Sequence, residues 1–315
     1  MGRTLTNDFS WSVTRDAAFR KCPRAYYYSY YGSWYGWDRN APETAQRLYR
    51  LKQIKSLAMW AGTVVHDTIR LALTAFARSE QPFPTTDSLQ NAALLRMRTD
   101  WRDAIQQVYL QKPKAANLFE LYYGNGKTLP KETTDAIKAL IFDCLDNFTA
   151  SRAVRDIRNA PPSQWRAIDS LDSFDLDGLK VWGAPDFAFV DQNGLFHIID
   201  WKTGTEDREA LNLQLACYAL YALDKWKLES VERLQLCGVF LRDGGRVSRY
   251  PIKPENLISA RDVILTSAKA MKAKLTDPDA NTADEKDFPC TPSPYLCAQC
   301  PFREACPAVN GQDSN

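Results

Sequence analysis

Two carboxylates and an ammonium stand close together in the second half of the chain. In GAPDFAF, Asp186 lies among apolar residues, and in FHIIDWKTG, Asp200 and Lys202 are two positions apart. A β-strand repeats every two residues, so Asp200 and Lys202 share a face with Phe196 and Ile198. Leu195, His197, Ile199 and Trp201 take the other face, which gives His197 a structural role. Charges at the end of an apolar strand are costly to bury without a partner, and a salt bridge answers that cost. Asp186, expected in the preceding strand of a hairpin, brings a second carboxylate to the same end. A hard divalent cation relieves the repulsion between two such carboxylates.

A second chemistry lies in the tail, FPCTPSPYLCAQCPFREACP, where Cys297, Cys300 and Cys306 have the spacing C-x2-C-x5-C. Three thiolates so close imply a fourth ligand. Cys290 is near enough to complete a local four-thiolate site, which zinc accepts well. At the opposite end, Cys22 opens KCPRAYYYSYYGSWYGW. Its rings suit either a core or a stacking surface for bases. Tyr26, Tyr27, Tyr28, Tyr30 and Tyr31 cannot all face one side of a helix. Arg20, Arg24 and Arg39 nearby suit either phosphate contacts or a solvated face. Cys144, Cys217 and Cys237 sit in apolar contexts and are expected in the core.

The elements that must position these groups can be read from periodicity and turn residues. A helix is expected from about residue 8 to 30, with Asn7, Asp8 or Ser10 as caps, and another from about Ser56 to Ala77. Residues from about Thr86 to Arg155 also look helical, with a break near YYGNGKTLP. SFDLDGLKVWGAPDFAFVDQNGLFHIIDWKTG alternates and carries Asp-Gly and Asn-Gly turns, so a strand meander follows. REALNLQLACYALYALDKW is a helix, LQLCGVFLRDGGRVSRYPI a hairpin, and PENLISARDVILTSAKAMKAKL a helix with Pro in its first turn. This order predicts an α/β core with helical additions.

Composition bounds the function. The chain has 315 residues, 45% hydrophobic and 25% charged, with a net charge of +2. A nucleic-acid surface would have to come from local clusters of Lys and Arg rather than from bulk charge. No signal peptide or membrane-length apolar run is visible, so a cytoplasmic protein with no membrane role is expected. The eight cysteines are then better suited to metal or cluster ligation than to disulfides.

Pro185, Asp186 and Asp200-Trp201-Lys202 resemble the PD-(D/E)XK nuclease signature. Gln214 and Tyr218, four apart on one helix face, look like the supporting helix of its RecB-like branch, and His66 in GTVVHDTIR resembles the metal-binding histidine of that branch. Gly62, one turn earlier, would allow close backbone approach. The resemblance implies a restriction-endonuclease-like core, a mixed sheet flanked by helices. It implies Mg²⁺ or Mn²⁺ held by His66, Asp186, Asp200 and the Trp201 carbonyl, with Lys202 orienting the attacking water or stabilising developing negative charge. Asp186, Asp200, Lys202, Gln214 and Tyr218 would form the catalytic set.

The cysteine layout is similar to the iron–sulfur nucleases of this branch, the AddB-type nuclease domain and the CRISPR-associated exonuclease. That similarity makes Cys22, Cys297, Cys300 and Cys306 the ligands of a 4Fe–4S cluster, with Cys290 the alternative to Cys22. The implied domains are 1–83, N-terminal helices with Cys22 and His66; 84–160, a helical insertion that no motif covers; 161–283, the nuclease core; and 284–315, the iron–sulfur tail. The expected function is a metal-dependent DNA exonuclease on single-stranded or frayed ends. The alternative is a DNA-end-binding nuclease subunit active only beside a helicase, CRISPR adaptation or defence partner. A zinc-stapled structural protein with a surface salt bridge is a third reading.

Overall fold

The computed structural model describes residues 6–124, 128–169, 171–183 and 185–310. In chain order, the helices are α1 (Val13–Lys21), α2 (Pro23–Tyr27), α3 (Glu43–Lys52), α4 (Leu57–Ala77), α5 (Thr86–Ile105), α6 (Phe119–Tyr122), α7 (Lys131–Ala150) and α8 (Arg152–Asn159), then α9 (Arg208–Lys225), α10 (Pro254–Lys272), α11 (Pro294–Ala298) and α12 (Pro307–Asn310). The strands are β1 (Trp165–Ile168), β2 (Ser173–Leu176), β3 (Leu179–Trp182), β4 (Phe187–Val190), β5 (Phe196–Lys202), β6 (Leu234–Phe240) and β7 (Arg246–Tyr250). The chain divides into two compact units. One comprises residues 1–55, 100–127 and 263–315, the other residues 56–99 and 128–262.

The second unit holds a five-stranded sheet of order β1-β4-β5-β6-β7 and a separate β2-β3 hairpin. All neighbours in the large sheet are antiparallel except β5 and β6, which run parallel. A parallel pair needs a crossover, and α9 supplies it. The sequence of β6, LQLCGVF, is apolar almost throughout because a central parallel strand is covered on both faces. In α4, Leu57, Trp60, Ala61, Val64, Val65, Ile69 and Leu73 form the buried stripe, and the Ser56 hydroxyl caps the helix by accepting from the Met59 N–H. The Asp207 carboxylate caps α9 in the same way through the Ala210 N–H. The predicted α/β class is what the structure shows, a mixed sheet flanked by helices.

Three expectations change in detail. The helix expected over residues 8–30 breaks at Cys22, which is extended at φ −161° and ψ 108°, before a π-helical turn over Tyr28–Gly32. Pro23 accounts for the break, because a proline disfavours helical geometry in the residue before it. Asp186 lies just before β4 rather than within a strand. The short edge strand β1, bulged between Trp165 and Ala167, was not expected. The break expected at YYGNGKTLP falls partly on residues 125–127, outside the described residues.

In the first unit part of the aromatic run is core, while Tyr35 and Trp37 at its end are exposed. Tyr26 is fully buried and Tyr28 nearly so. Phe288 packs against Tyr26, Tyr27 and Tyr31, and Phe302 against Tyr28. The Arg24 Nε donates to the Phe288 carbonyl at 2.7 Å, and the Tyr28 hydroxyl donates to Glu285 at 2.8 Å. Tyr26 and Tyr28 therefore hold the C-terminal segment and offer no face to a base. Among the described residues, no helix is long and apolar enough to cross a membrane.

Two turn glycines give a test of this packing. Gly245 has φ +70°, and a Cβ there would lie 2.5 Å from the Asn147 carbonyl oxygen, whereas Gly178 has φ +76° with open space around it. Gly245→Ala should lower stability by about 3 kcal/mol or more, combining left-handed strain with a backbone clash. Gly178→Ala should cost only about 1–2 kcal/mol. Urea unfolding of both variants checks this, and equal losses would show that the Gly245 contact does not constrain the hairpin.

Candidate active site

The parallel register sets Asp200 beside Gly238, and the antiparallel register of β4 on β5 pairs Phe187 with Ile199, so Asp186 comes level with Asp200. The Trp201 backbone N–H donates to Asp186 Oδ2 at 2.8 Å, which fixes that carboxylate at the strand end. Asp200 is 1% exposed. Burial, followed by the charge of Asp186, pushes its pKa up to about 6.

The residues around Asp200 close a ring with consistent donor directions. Lys202 Nζ donates to Gln214 Oε1 at 2.8 Å, Gln214 Nε2 donates to the Tyr218 hydroxyl at 2.7 Å, and that hydroxyl donates to Asp200 Oδ1 at 3.4 Å. Lys202 Nζ also lies 2.6 Å from Asp200 Oδ2. Its approach lacks hydrogen-bond alignment, so Oδ2 is a buried oxygen with an ionic contact and no hydrogen-bond donor. Burial and the Asp200 charge hold the Tyr218 phenol well above its ordinary pKa, which keeps the hydroxyl able to donate.

His66, on α4, places Nδ1 3.5 Å from Asp186 Oδ2. Burial alone would lower its pKa, but the hydrogen bond and charge of Asp186 outweigh this, and the net direction is upward. A Cβ at Gly62, one turn earlier, would stand 3.0 Å from Thr203 Oγ1, so the glycine permits a close approach of α4 to the strand end. His197, by contrast, pairs with Asp191 at 3.1 Å and stacks on Phe189.

The structure adds Asp169, which no motif singled out. Its backbone N–H donates to the Asp186 carbonyl at 2.8 Å, and its φ of 37° is unusual for a residue with a side chain. Its carboxylate lies 3.5 Å from Arg70, and burial, then Asp186, raises its pKa. The sequence carried no signal for it, since the strand before it, β1, was itself not expected.

The cysteines gather in the first unit. Cys22, Cys290, Cys297, Cys300 and Cys306 all line one cavity of about 200 Å³. Cys290 Sγ and Cys306 Sγ are 3.5 Å apart. The lining of this cavity thus includes the four cysteines expected as ligands and also Cys290. Cys144, Cys217 and Cys237 are buried in the other unit, as expected. Among the described residues, no group of three or more His, Cys, Asp or Glu side chains is drawn together so as to hold a metal ion.

No match was found among curated proteins. A solved structure, the crystal structure of SSO0001, is 17% identical, covering 67% of this chain and 84% of that one, with a TM-score of 0.29, a likeness too weak to bear on function. The model of the PD-(D/E)XK nuclease superfamily matches residues 10–307. That span takes in both the acidic strand end and the cysteine cavity, and the chain belongs to the PD-(D/E)XK nuclease superfamily.

Proposed function

We propose that this nuclease is a metal-dependent deoxyribonuclease of the RecB-like iron–sulfur branch, acting as an exonuclease on single-stranded or frayed ends. The observation that carries the reading is the buried Asp200 carboxylate beside Asp186; Asp200 Oδ2 has the Lys202 ammonium at 2.6 Å but no aligned hydrogen-bond donor. A divalent cation suits that donor chemistry, and His66, Asp186, Asp200 and the Trp201 carbonyl would hold it. With a histidine in the set, Mn²⁺ is as acceptable as Mg²⁺. When bound, the ion supplies a water of lowered pKa and polarises the phosphate. Lys202 presents an ammonium to the attacking water or to the negative charge that develops on phosphate. Gln214 fixes Lys202, and Tyr218 fixes Asp200, so both act as positioning residues.

The cysteine cavity suits a structural 4Fe–4S cluster held by Cys22, Cys297, Cys300 and Cys306. Each ligand of such a cluster binds a different iron, so the thiols stand around a volume, whereas the ligands of one zinc ion must converge. All eight cysteines are unpaired, which fits work in the reducing cytoplasm.

The test of function is digestion of end-labelled single-stranded, blunt and blocked circular DNA with Mn²⁺ or Mg²⁺. Stepwise shortening from free ends, abolished by EDTA, is expected. Cutting of the blocked circle would replace the exonuclease with an endonuclease. Cleavage only on adding a helicase or defence partner would make the chain a subunit.

Asp200→Ala and Lys202→Ala should each reduce cleavage on the order of 10³-fold or more without unfolding the protein. Asp200→Ala should also lose Mn²⁺ binding by calorimetry, whereas Lys202→Ala should keep it. His66→Ala should raise the Mn²⁺ requirement by roughly tenfold to a hundredfold. Cleavage at wild-type rates in the Asp200 or Lys202 variant would remove this site from consideration.

Cys22→Ala should lose iron and destabilise the protein by roughly 4–5 kcal/mol, if disulfide loop entropy guides the worth of so long a cross-link. Cys290→Ala should keep its iron. Iron content and thermal unfolding compare the two, and the reverse pattern would make Cys290 the fourth ligand.

A further inference from the structure

Two cations in the first unit share one aromatic ring. The Arg15 guanidinium lies 4.4 Å from the centroid of Tyr30, and the Lys52 ammonium lies 5.0 Å from the same centroid. Each is held in place by a backbone carbonyl: Arg15 Nη1 donates to Ser10 at 3.1 Å, and Lys52 Nζ donates to Ser29 at 2.6 Å. Among the described residues, neither forms a salt bridge. The acid on the same helix as Arg15, Asp16, is engaged by Arg20 and Ser267. Tyr30 adds no negative charge, since burial raises its pKa further.

Like charges held around one ring repel each other, and cation–π attraction offsets only part of that. Lys52 carries the mark of this environment. Desolvation, then the Arg15 charge, lowers its pKa to about 8. The residue remains solvent-exposed even so, with its ammonium partly desolvated against Ser29 and Tyr30, so an approaching anion can reach it. Other exposed cations, such as Arg47, Lys131, Lys227 and Arg246, sit beside a carboxylate. A chain of net charge +2 has no broad positive field, so prearranged and unneutralised cations mark where an anion would be held.

We propose that Arg15 and Lys52, set on Tyr30, form a seat for the backbone phosphates of single-stranded nucleic acid, one phosphodiester or two successive ones, separate from the residues proposed for cleavage. The choice of nucleic acid over other anions rests on the nuclease reading; the seat itself rests on the two cations.

The experiment is equilibrium binding of a labelled single-stranded oligodeoxynucleotide in EDTA, across a salt series, with the full chain. In Arg15→Gln/Lys52→Gln, the slope of log affinity on log salt should become shallower by roughly 1.4, about 0.7 for each phosphate released. Arg15→Lys/Lys52→Arg should keep most of the slope, because charge rather than shape is required. Lys131→Gln/Lys227→Gln removes the same net charge elsewhere and should leave the slope unchanged. Inorganic phosphate at matched ionic strength should compete far less well than the oligonucleotide; equal competition per phosphate would make this a small-anion site instead. An unchanged slope in the Arg15/Lys52 variant, with unaltered thermal unfolding, overturns the proposal, as does no binding by the wild type at low salt. Metal-dependent cleavage by the wild type is measured separately, so failure of the nuclease reading and failure of the seat give different results.

Discussion

Asp200 is the constraint on which the second unit turns. A carboxylate with 1% of its surface exposed is tolerated only where neighbours replace the water it has lost. Tyr218, Gln214 and Lys202 do so by a ring of donors that all point the same way, which fixes α9 against the end of β5. At Oδ2 the ring is closed by the Lys202 ammonium through an ionic contact, without an aligned hydrogen bond. Because burial and the Asp186 charge push the pKa of Asp200 up to about 6, above the ordinary range of an aspartate, the folded state holds this proton more tightly than the unfolded chain. The contribution of this group to stability is therefore largest at low pH and falls as pH rises through that window. At neutral pH the ionised site is strained, and a bound cation would relieve the strain. The same cost that makes the site unfavourable for folding makes it suited to a cation.

The first unit solves a different problem. Its sequence segments come from both ends of the chain and from residues 100–127, so contacts between distant segments must hold it together. Ring contacts and hydrogen bonds both do the joining. Phe288 and Phe302 pack among the tyrosines that follow Cys22, while Arg24 and Tyr28 meet on Glu285. This brings Cys22 to the cavity lined by the tail cysteines. The aromatic run and the cysteine before it thus serve one end: the rings position the segment, and the thiol faces the tail. The proposed cluster would add a covalent tie where ring packing already brings the two ends together.

Much of the site was legible in the sequence. The period of two placed Asp200 and Lys202 on one face of β5, and the interval of four placed Gln214 and Tyr218 on one face of α9, because strand and helix geometry fix such relations locally. The break at Cys22 was missed: Pro23 disfavours helical geometry in the residue before it, but the helical pattern over residues 8–30 was read as continuous. What the sequence could not set was the partner of each group. That Gln214 reaches Lys202 rather than solvent, that Asp169 joins the acidic end at a φ of 37°, and that Cys290 shares the cavity with Cys22 all depend on how distant segments pack. The ambiguous tyrosines were settled in the same way: Tyr26 and Tyr28 became core because Phe288 and Phe302, more than 250 residues away, cover them. Short-range periodicity is written into covalent geometry, whereas burial and charge pairing are shared properties of segments that only the folded chain brings together.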